Sequence, residues 1–363
     1  MEGKKKILFI TGYFPFRQGG AEYQALLLAE RLKQQFDISF IFRNHWDKNK
    51  IIHDRCYTLF SIKPYQLKGM NGTFLFEDPQ VRSILKRVRP DIIYTRGANA
   101  YCLTAALYAN KNNCKIVWHI AHDRDVIPVQ YEKIISKPFS LIEKKIIEYG
   151  LMHSNCIIGQ TRHQAMLIKK NYTKKCDYII GNWHPIPDNP TKQRSTINIL
   201  WIANWRPFKQ PEIFIRLAQE IGHLPNTRFI MIGRNTEYSE IKAKAIANNV
   251  ETLGELPNAQ VNTLLSRSHL LINTSQMEGF SNTFIQAWMR KVPVISLQVD
   301  PDNILQKMGM GFCSGNFTQL VQDTELLLKN HKLREEMGQK SRDYALQHHS
   351  LANIDKIKYL FVT

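Results

Sequence analysis

His269-Leu270-Leu271-Ile272-Asn273-Thr274, followed four residues later by Glu278-Gly279-Phe280-Ser281-Asn282-Thr283-Phe284-Ile285-Gln286, is the stretch whose reading decides the fold. The apolar run reads as a strand, the polar segment with its glycine as a loop, and Asn282 to Met289 as a helix. In an α/β protein this order brings a helix N-terminus to the carboxyl edge of a sheet. Backbone N–H groups there, with the helix dipole behind them, attract an anion, and phosphate is the expected guest. Glu278 stands just before the turn, where its charge opposes a bare phosphate. It is better suited to accept hydrogen bonds from hydroxyl groups beside one, and a sugar joined to a diphosphate supplies both. Gln286 lies about two helical turns further on, roughly 12 Å of rise, and addresses another part of the same extended ligand. Taken alone, the segment is equally compatible with a helix start carrying a solvent-facing glutamate.

Strands and helices alternate on both sides of this segment. Pro211 to Ile221 reads as a helix, Arg228 to Gly233 as a strand and Tyr238 to Asn248 as a helix. Val250 to Gly254 is a short strand, Asn258 to Ser266 a helix and Val292 to Ser296 the next strand. Such alternation requires a parallel sheet with right-handed crossovers, and ligands bind at the carboxyl ends of its strands. Gly233 and Arg234 fall at one such end. Ile197 to Ile202 is another buried strand, leading into Ala203-Asn204-Trp205-Arg206-Pro207-Phe208-Lys209, which reads as an exposed basic loop. Near the start, Ile7 to Ile10 forms a strand, Gly19-Gly20-Ala21-Glu22 a turn, and Tyr23 to Phe36 an amphipathic helix. The strand from Lys115 carries His119 and, at its end, His122-Asp123; alternation turns the two histidines to opposite faces, so one belongs inside. His119 takes the interior place, and Asp123 and Asp125 suit loop capping or acceptor contacts.

Together these segments resemble the retaining glycosyltransferases of family 4, which have the GT-B fold: two Rossmann-like, doubly wound parallel-sheet domains facing a cleft. Glu278 and Gln286 resemble the family's Glu-x7-Glu signature, with Gln in place of the second Glu. The resemblance implies that Glu278 approaches the donor sugar's hydroxyls and that Gln286 holds the nucleotide ribose, as donor or acceptor but without the charge assistance of a carboxylate. Gly279, Phe280, Ser281, Asn282 and Thr283 then surround the donor with Gly233, and Gly19 and Gly20 resemble the family's Gly-Gly-x-Glu loop, where bare backbone approaches a ligand. It further implies that His122 lies near the reacting centre, and that Lys209, with Arg206 less regularly placed, clamps the leaving diphosphate without a metal.

Length and composition agree with two domains. The 363 residues exceed what one core usually serves, and 44% hydrophobic with 22% charged residues is ordinary for a globular protein. Asn182 to Thr191 holds three prolines and suits a linker and hinge, dividing an acceptor-side domain (1–188) from a nucleotide-sugar domain (189–347). The family resemblance returns the final helix, 348–363, to the first domain. Six scattered cysteines, without Cys-x-x-Cys or a zinc-spaced His set, suit reduced thiols in a cytoplasmic protein. The lysine-rich start is broken by Gly12, Pro15 and Arg17, and reads as a strand rather than a signal peptide.

Net charge is +18 and uneven: residues 1–190 carry 29 Lys and Arg against 16 Asp and Glu. A basic surface attracts anionic membranes or nucleic acid. Tyr131 to Tyr149 interleaves Lys133, Lys137, Lys144 and Lys145 with isoleucines, which suits either an ordinary core-facing helix or docking at the inner face of a membrane. No zinc finger or aromatic RNA-binding strand accompanies the charge, so specific nucleic-acid binding is not expected. The expected activity is sugar transfer, with retention, from a nucleoside-diphosphate sugar to a hydroxyl of a glycan or lipid-linked acceptor, with no further cofactor. A sugar-nucleotide epimerase of the same fold and a non-catalytic sugar-nucleotide binder remain open at this stage.

Overall fold

A computed structural model describes residues 3–14, 16, 19–43, 50–64, 77–128, 138–190, 192, 195–235 and 238–362. Two compact units divide the chain, Met1–Asn182 with Ala352–Thr363, and Trp183–Leu351. The first holds strands β1 (Lys6–Ile10), β2 (Asp37–Arg43), β3 (Lys50–Asp54), β4 (Tyr57–Ile62), β5 (Ile92–Arg96), β6 (Lys115–His119), β7 (Cys156–Gly159) and β8 (Tyr178–Ile179). The second holds β9 (Ile197–Ile202), β10 (Thr227–Ile232), β11 (Val250–Thr252), β12 (Leu270–Asn273), β13 (Val294–Ser296) and β14 (Gly311–Cys313).

In the first unit the strand order is β3-β4-β2-β1-β5-β6-β7-β8, parallel throughout except for the β3–β4 hairpin. Ile7, Leu8 and Phe9 of β1 are fully buried, the continuous apolar signature of a strand covered on both faces. The first helix spans Gly20–Leu32, earlier than the expected Tyr23 to Phe36, because Gly19 is its N-cap and the chain has already turned toward β2 by Phe36. Helix Ala352–Val362 packs within this unit: Phe361 lies against Tyr94, ring centroids 6.0 Å apart, and Lys115 Nζ donates to Leu360 O at 2.8 Å. The basic segment expected at 131–149 is a helix over Pro138–Met152, while 131–137 lie outside the described residues. Within that helix Lys144 donates to Arg124 O and Lys145 pairs with Glu148, so both of its lysines are engaged by the chain itself, while Lys133 and Lys137 lie outside the described residues. Among the described residues no helix is long and apolar enough to cross a membrane.

The second unit is wholly parallel, in the order β11-β10-β9-β12-β13-β14. Numbered from its own first strand this is 3-2-1-4-5-6, the doubly wound order. One face is covered by helices Pro211–Ile221, Ser239–Ala247 and Phe317–Lys329, which pack Phe214, Ala245 and Leu320 with Trp201 and Trp205. On the other face lie helices Asn258–Ser266, Asn282–Trp288 and His331–His348, with Val261, Phe284, Trp288 and Ala345. β13 begins two residues later than expected because Pro293 lacks the N–H a central strand needs.

Two positions are held by close backbone or buried polar contact. Gly233, at φ +141°, ends β10 where a Cβ would lie 1.8 Å from Ala203 O. Gly233→Ala should therefore cost at least about 3 kcal/mol, since both clash and backbone strain must be relieved; a urea melt matching the wild type would show that the strand ends separate easily. His119 is fully buried at the end of β6, with Nδ1 2.9 Å from both Tyr94 Oη and Arg96 Nη1, and Nε2 3.3 Å from Ile180 O. Arg96 can only donate, so Nδ1 is the acceptor and Nε2 carries the hydrogen. Burial first, then the Arg96 charge, hold the imidazole well below its ordinary 6.5. The unfolded chain takes up the proton more readily. The stabilisation is thus complete above pH 6.5 and is lost as pH falls below it, by at most about 1.4 kcal/mol per pH unit. His119→Phe should remove this component of the acid slope, and His119→Ala should cost about 3 kcal/mol by removing an acceptor of the buried Arg96 guanidinium; chemical denaturation at pH 7.5 and 5.5 measures both.

Candidate active site

β9 and β12 are neighbours at the point where the strand order of the second unit reverses. Their outgoing loops, 203–210 and 274–281, leave the carboxyl edge side by side, where helices depart to opposite faces and a crevice opens. Several bonds stitch the two loops together. Gln276 N donates to Phe208 O at 2.8 Å, and Thr274 Oγ1 lies 2.6 Å from Lys209 O and 3.0 Å from Gln210 O. The same hydroxyl accepts from Trp201 Nε1 at 2.8 Å. Gln210 takes the left-handed conformation, φ +50°, to turn the chain sharply into the helix that begins at Pro211.

Lys209 and Glu278 meet across this seam. Lys209 Nζ donates to Glu278 Oε1, and Ser275 Oγ donates to the same oxygen at 2.8 Å. The side chains are only 16% and 13% exposed, so the expectation that Lys209 sits on a solvent-exposed loop is corrected: the stitching draws it inward. Behind Ser275, Asn273 Oδ1 accepts from Ser275 N and Ser296 Oγ, both at 3.2 Å. Asn273, Thr274, Ser275 and Ser296 are all buried, and this shell limits where the ion pair can move.

Gln286 is 7% exposed and faces helix Asn258–Ser266. Its Nε2 donates to Asn258 Oδ1 at 2.8 Å and Asn262 Oδ1 at 3.1 Å, and Asn262 Nδ2 donates to Asn258 Oδ1 at 2.9 Å. The expectation that Gln286 serves a ligand as donor or acceptor narrows accordingly. Its amide hydrogens are committed within the unit, and its carbonyl oxygen is what it can offer. Phe280 is 7% exposed, its ring against His349 and Trp288 with centroids 4.6 and 5.9 Å away, which leaves only its backbone to face a ligand. Ser281 and Thr283 share a hydroxyl contact of 2.8 Å, Asn282 Oδ1 meets His184 Nε2 at 3.0 Å, and Gly279 is buried.

Lys209 reaches toward the β12 loop, and Arg206 is among the residues that line a cavity shared with the β10 loop. That cavity, about 490 Å³, is lined by Asn204, Trp205, Arg206, Pro207, Phe208, Arg234 and Tyr238. Sequence reasoning passed over Asn204, whose Oδ1 accepts from Arg234 N at 3.1 Å, and Asn258, Asn262, Asn273 and Ser275. The available signal for Asn273, Asn204 and Ser275 was a small polar residue at the carboxyl end of an apolar run.

The first unit carries the remaining candidates. His122 caps the turn Asp123–Val126, its Nδ1 accepting from Arg124 N at 3.1 Å, while Asp125 Oδ2 accepts from Ala121 N and His122 N at 2.9 Å each. Asp123 Oδ1 accepts from Gln164 Nε2 at 2.9 Å, and burial raises its carboxyl pKa. At Gly19 the crowding comes from the chain itself: a Cβ would lie 2.2 Å from Glu22 Oε2, because that carboxylate folds back over the helix N-cap. Gly20 is the first helical residue.

Comparison with known proteins agrees with this architecture. Poly(ribitol-phosphate) alpha-N-acetylglucosaminyltransferase of Staphylococcus aureus, a curated relative, is 24% identical over 60% of this chain and 45% of its own length. The chain spans about half the length of the first curated relatives it matches. Sucrose-phosphate synthase from Thermosynechococcus elongatus superposes with a TM-score of 0.79 at 12% identity, covering 99% of this chain and 98% of that one. Anabaena Alr3699/HepE, solved with UDP and glucose, gives 0.75 at 14% identity, with 99% of each chain covered. The family description "Glycosyltransferase Family 4" matches residues 18–179 and "Glycosyl transferases group 1" matches 186–344. With both halves matched in order and both sheets built as the GT-B fold requires, the chain belongs to the group 1 glycosyltransferases of family 4.

Proposed function

We propose that this protein transfers a sugar from a nucleoside-diphosphate sugar to a hydroxyl of a glycan or lipid-linked acceptor, with retention at the anomeric carbon and without a metal. The observation that carries the reading is the meeting of Lys209 and Glu278 at the strand-order reversal of the second sheet. A half-buried cation beside a carboxylate suits a ligand that is anionic at one atom and hydroxylated at the next. Lys209 turns to the diphosphate and neutralises the charge that grows as the glycosidic bond breaks. Glu278, relieved of the lysine, accepts hydrogen bonds from sugar hydroxyls, with Ser275 holding one of its oxygens in place. Backbone N–H groups of 279–283 face the phosphates, and the carbonyl oxygen of Gln286 accepts from the ribose diol. His122 is the residue of the first unit assigned to the reaction, on its family resemblance. The leaving phosphate, which gains basicity as the bond breaks, then takes the acceptor's proton on the same face.

Docking at an anionic membrane surface belongs to the same proposal and rests on the charge excess of residues 1–190. Nothing in the folded helix Pro138–Met152 strengthens it. Sedimentation with vesicles of neutral and anionic lipid tests it directly.

Incubation with UDP-, GDP- and ADP-sugars, with and without glycan acceptors, should give acceptor-dependent release of nucleoside diphosphate and an NMR coupling that reports retention. Epimer formation from the donor alone would instead make the protein an epimerase, and binding without turnover would make it a receptor. Lys209→Ala should lower turnover by on the order of 10²-fold; since the residue is half-buried, a thermal melt must accompany the rate. Glu278→Gln should slow transfer from the whole donor far more than it weakens binding of free nucleoside diphosphate. EDTA should leave the wild-type rate unchanged.

His122→Ala should lose turnover without losing thermal stability, the reverse of the pattern expected at His119. Gln286→Glu should tighten nucleotide binding by about 1 kcal/mol, as Asn258 and Asn262 turn their amides to present N–H groups to the new carboxylate; weaker binding by calorimetry would remove Gln286 from the ribose site.

A further inference from the structure

The cavity on the other flank of the Lys209 loop is a second binding site in the making. Trp205, Phe208 and Tyr238 give it aromatic walls, and Arg206 and Arg234 bring two guanidinium groups. Both arginines are exposed, and among the described residues neither side chain is bound to a carboxylate. Trp205 is only 3% exposed, its ring packed edge-on against Trp201 with centroids 6.2 Å apart, so this wall of the cavity is fixed by the core. The backbone holds the two arginine-bearing loops in register, Trp205 N donating to Arg234 O at 3.0 Å and Arg234 N to Asn204 Oδ1 at 3.1 Å. The two loops that carry the arginines are thus held side by side at the rim of the cavity.

The position of this cavity sets it apart from the candidate donor site. Trp205 and Tyr238 pack with the core on the face covered by helices Pro211–Ile221 and Ser239–Ala247. Gln286 and its asparagine partners lie with the helices of the opposite face, and Lys209 and Glu278 occupy the gap between the β9 and β12 loops. The cavity occupies the gap between the β9 and β10 loops. Phe208 borders both, for it lines the cavity and its ring centroid is 5.2 Å from Lys209 Nζ.

We propose that this cavity binds a phosphate monoester carried on a ring, a sugar phosphate or a nucleoside monophosphate, at the same time as the donor site is occupied. Guanidinium forks match the phosphate's paired oxygens, and the aromatic walls stack on the ring. The volume, about 490 Å³, accommodates such a ligand. Because Phe208 is shared, an occupant there would bear on Lys209 and hence on donor affinity, which makes the site suited to an effector. The proposal rests on the donor-site reading only for its location, not for its chemistry.

Calorimetry on the full chain separates the two. Glucose 6-phosphate and UMP are titrated in turn into protein saturated with UDP, with inorganic phosphate as the ring-free probe. One of the two ring phosphates should bind at one equivalent, at least tenfold more tightly than inorganic phosphate, and which one does so identifies the ring. The double variant Arg206→Gln/Arg234→Gln should weaken that binding at least tenfold, and Tyr238→Leu should weaken it without altering the melting temperature. Lys209→Ala should abolish or weaken the UDP isotherm while leaving the ring-phosphate isotherm of the UDP-free protein in place, so a failure of the donor-site reading is seen separately. Displacement of either ring phosphate by UDP, equal binding by inorganic phosphate, or unchanged binding in the double variant would each overturn the proposal.

Discussion

An ion pair placed out of bulk water, between two loops that leave adjacent parallel strands for opposite faces, is the constraint on which this site depends. Lys209 and Glu278 are far apart in sequence, and neither loop alone would hold its charge at 13–16% exposure. What permits the burial is the layer beneath: the Thr274 hydroxyl against two backbone carbonyls, the Trp201 indole behind it, and Asn273 fixing Ser275. A half-buried pair gains from low dielectric only when its remaining hydrogen-bonding capacity is met nearby, and Ser275 provides part of that. The strand order matters here because β9 and β12, neighbours at its reversal, send helices Pro211–Ile221 and Asn282–Trp288 to opposite faces and so open the crevice between their loops.

The pair also sets a condition on ligand binding. A cation already matched to a carboxylate attracts an anion less than a bare one would, so the ligand must compensate the glutamate as well as the lysine. Free phosphate brings net negative charge to both partners, and leaves Glu278 facing it. On the proposed reading, a sugar diphosphate would offer phosphate oxygens to Lys209 and hydroxyl hydrogens to Glu278, and so would replace both halves of the bond it breaks. Discrimination between whole donor and bare anion can thus arise from a single ion pair, through the cost of leaving one partner unmatched.

Much of the fold was legible because its signals are local. The apolar runs at Ile7 to Ile10, Ile197 to Ile202 and Leu270 to Asn273 are long enough, and regularly enough separated by amphipathic segments, to imply parallel sheets before any strand order is known. Boundaries were less legible where backbone chemistry overrides pattern, as at Gly19, which starts its helix early, and Pro293, which delays β13. The site was legible in part. Glu278 stood out as a carboxylate placed just before a helix start, and Lys209 through its place in the family resemblance. Their direct contact was not, since it depends on which two strands are neighbours, a non-local fact.

Gln286 illustrates how a single substitution redistributes function within a motif. A glutamate at this position would accept from Asn258 and Asn262 once their amides turned to present N–H groups. Glutamine reverses the polarity of that contact: it donates to both asparagines and keeps its carbonyl as a neutral acceptor. The local network is then satisfied without any ligand, which lowers the penalty of the empty state relative to a buried unpaired carboxylate. On the proposed reading, what a ribose contact would lose in charge assistance the free protein gains in a satisfied network with Asn258 and Asn262. Donor affinity would then rest more on the Lys209 and Glu278 end of the crevice, proposed for the phosphate and the sugar, than on the nucleoside end.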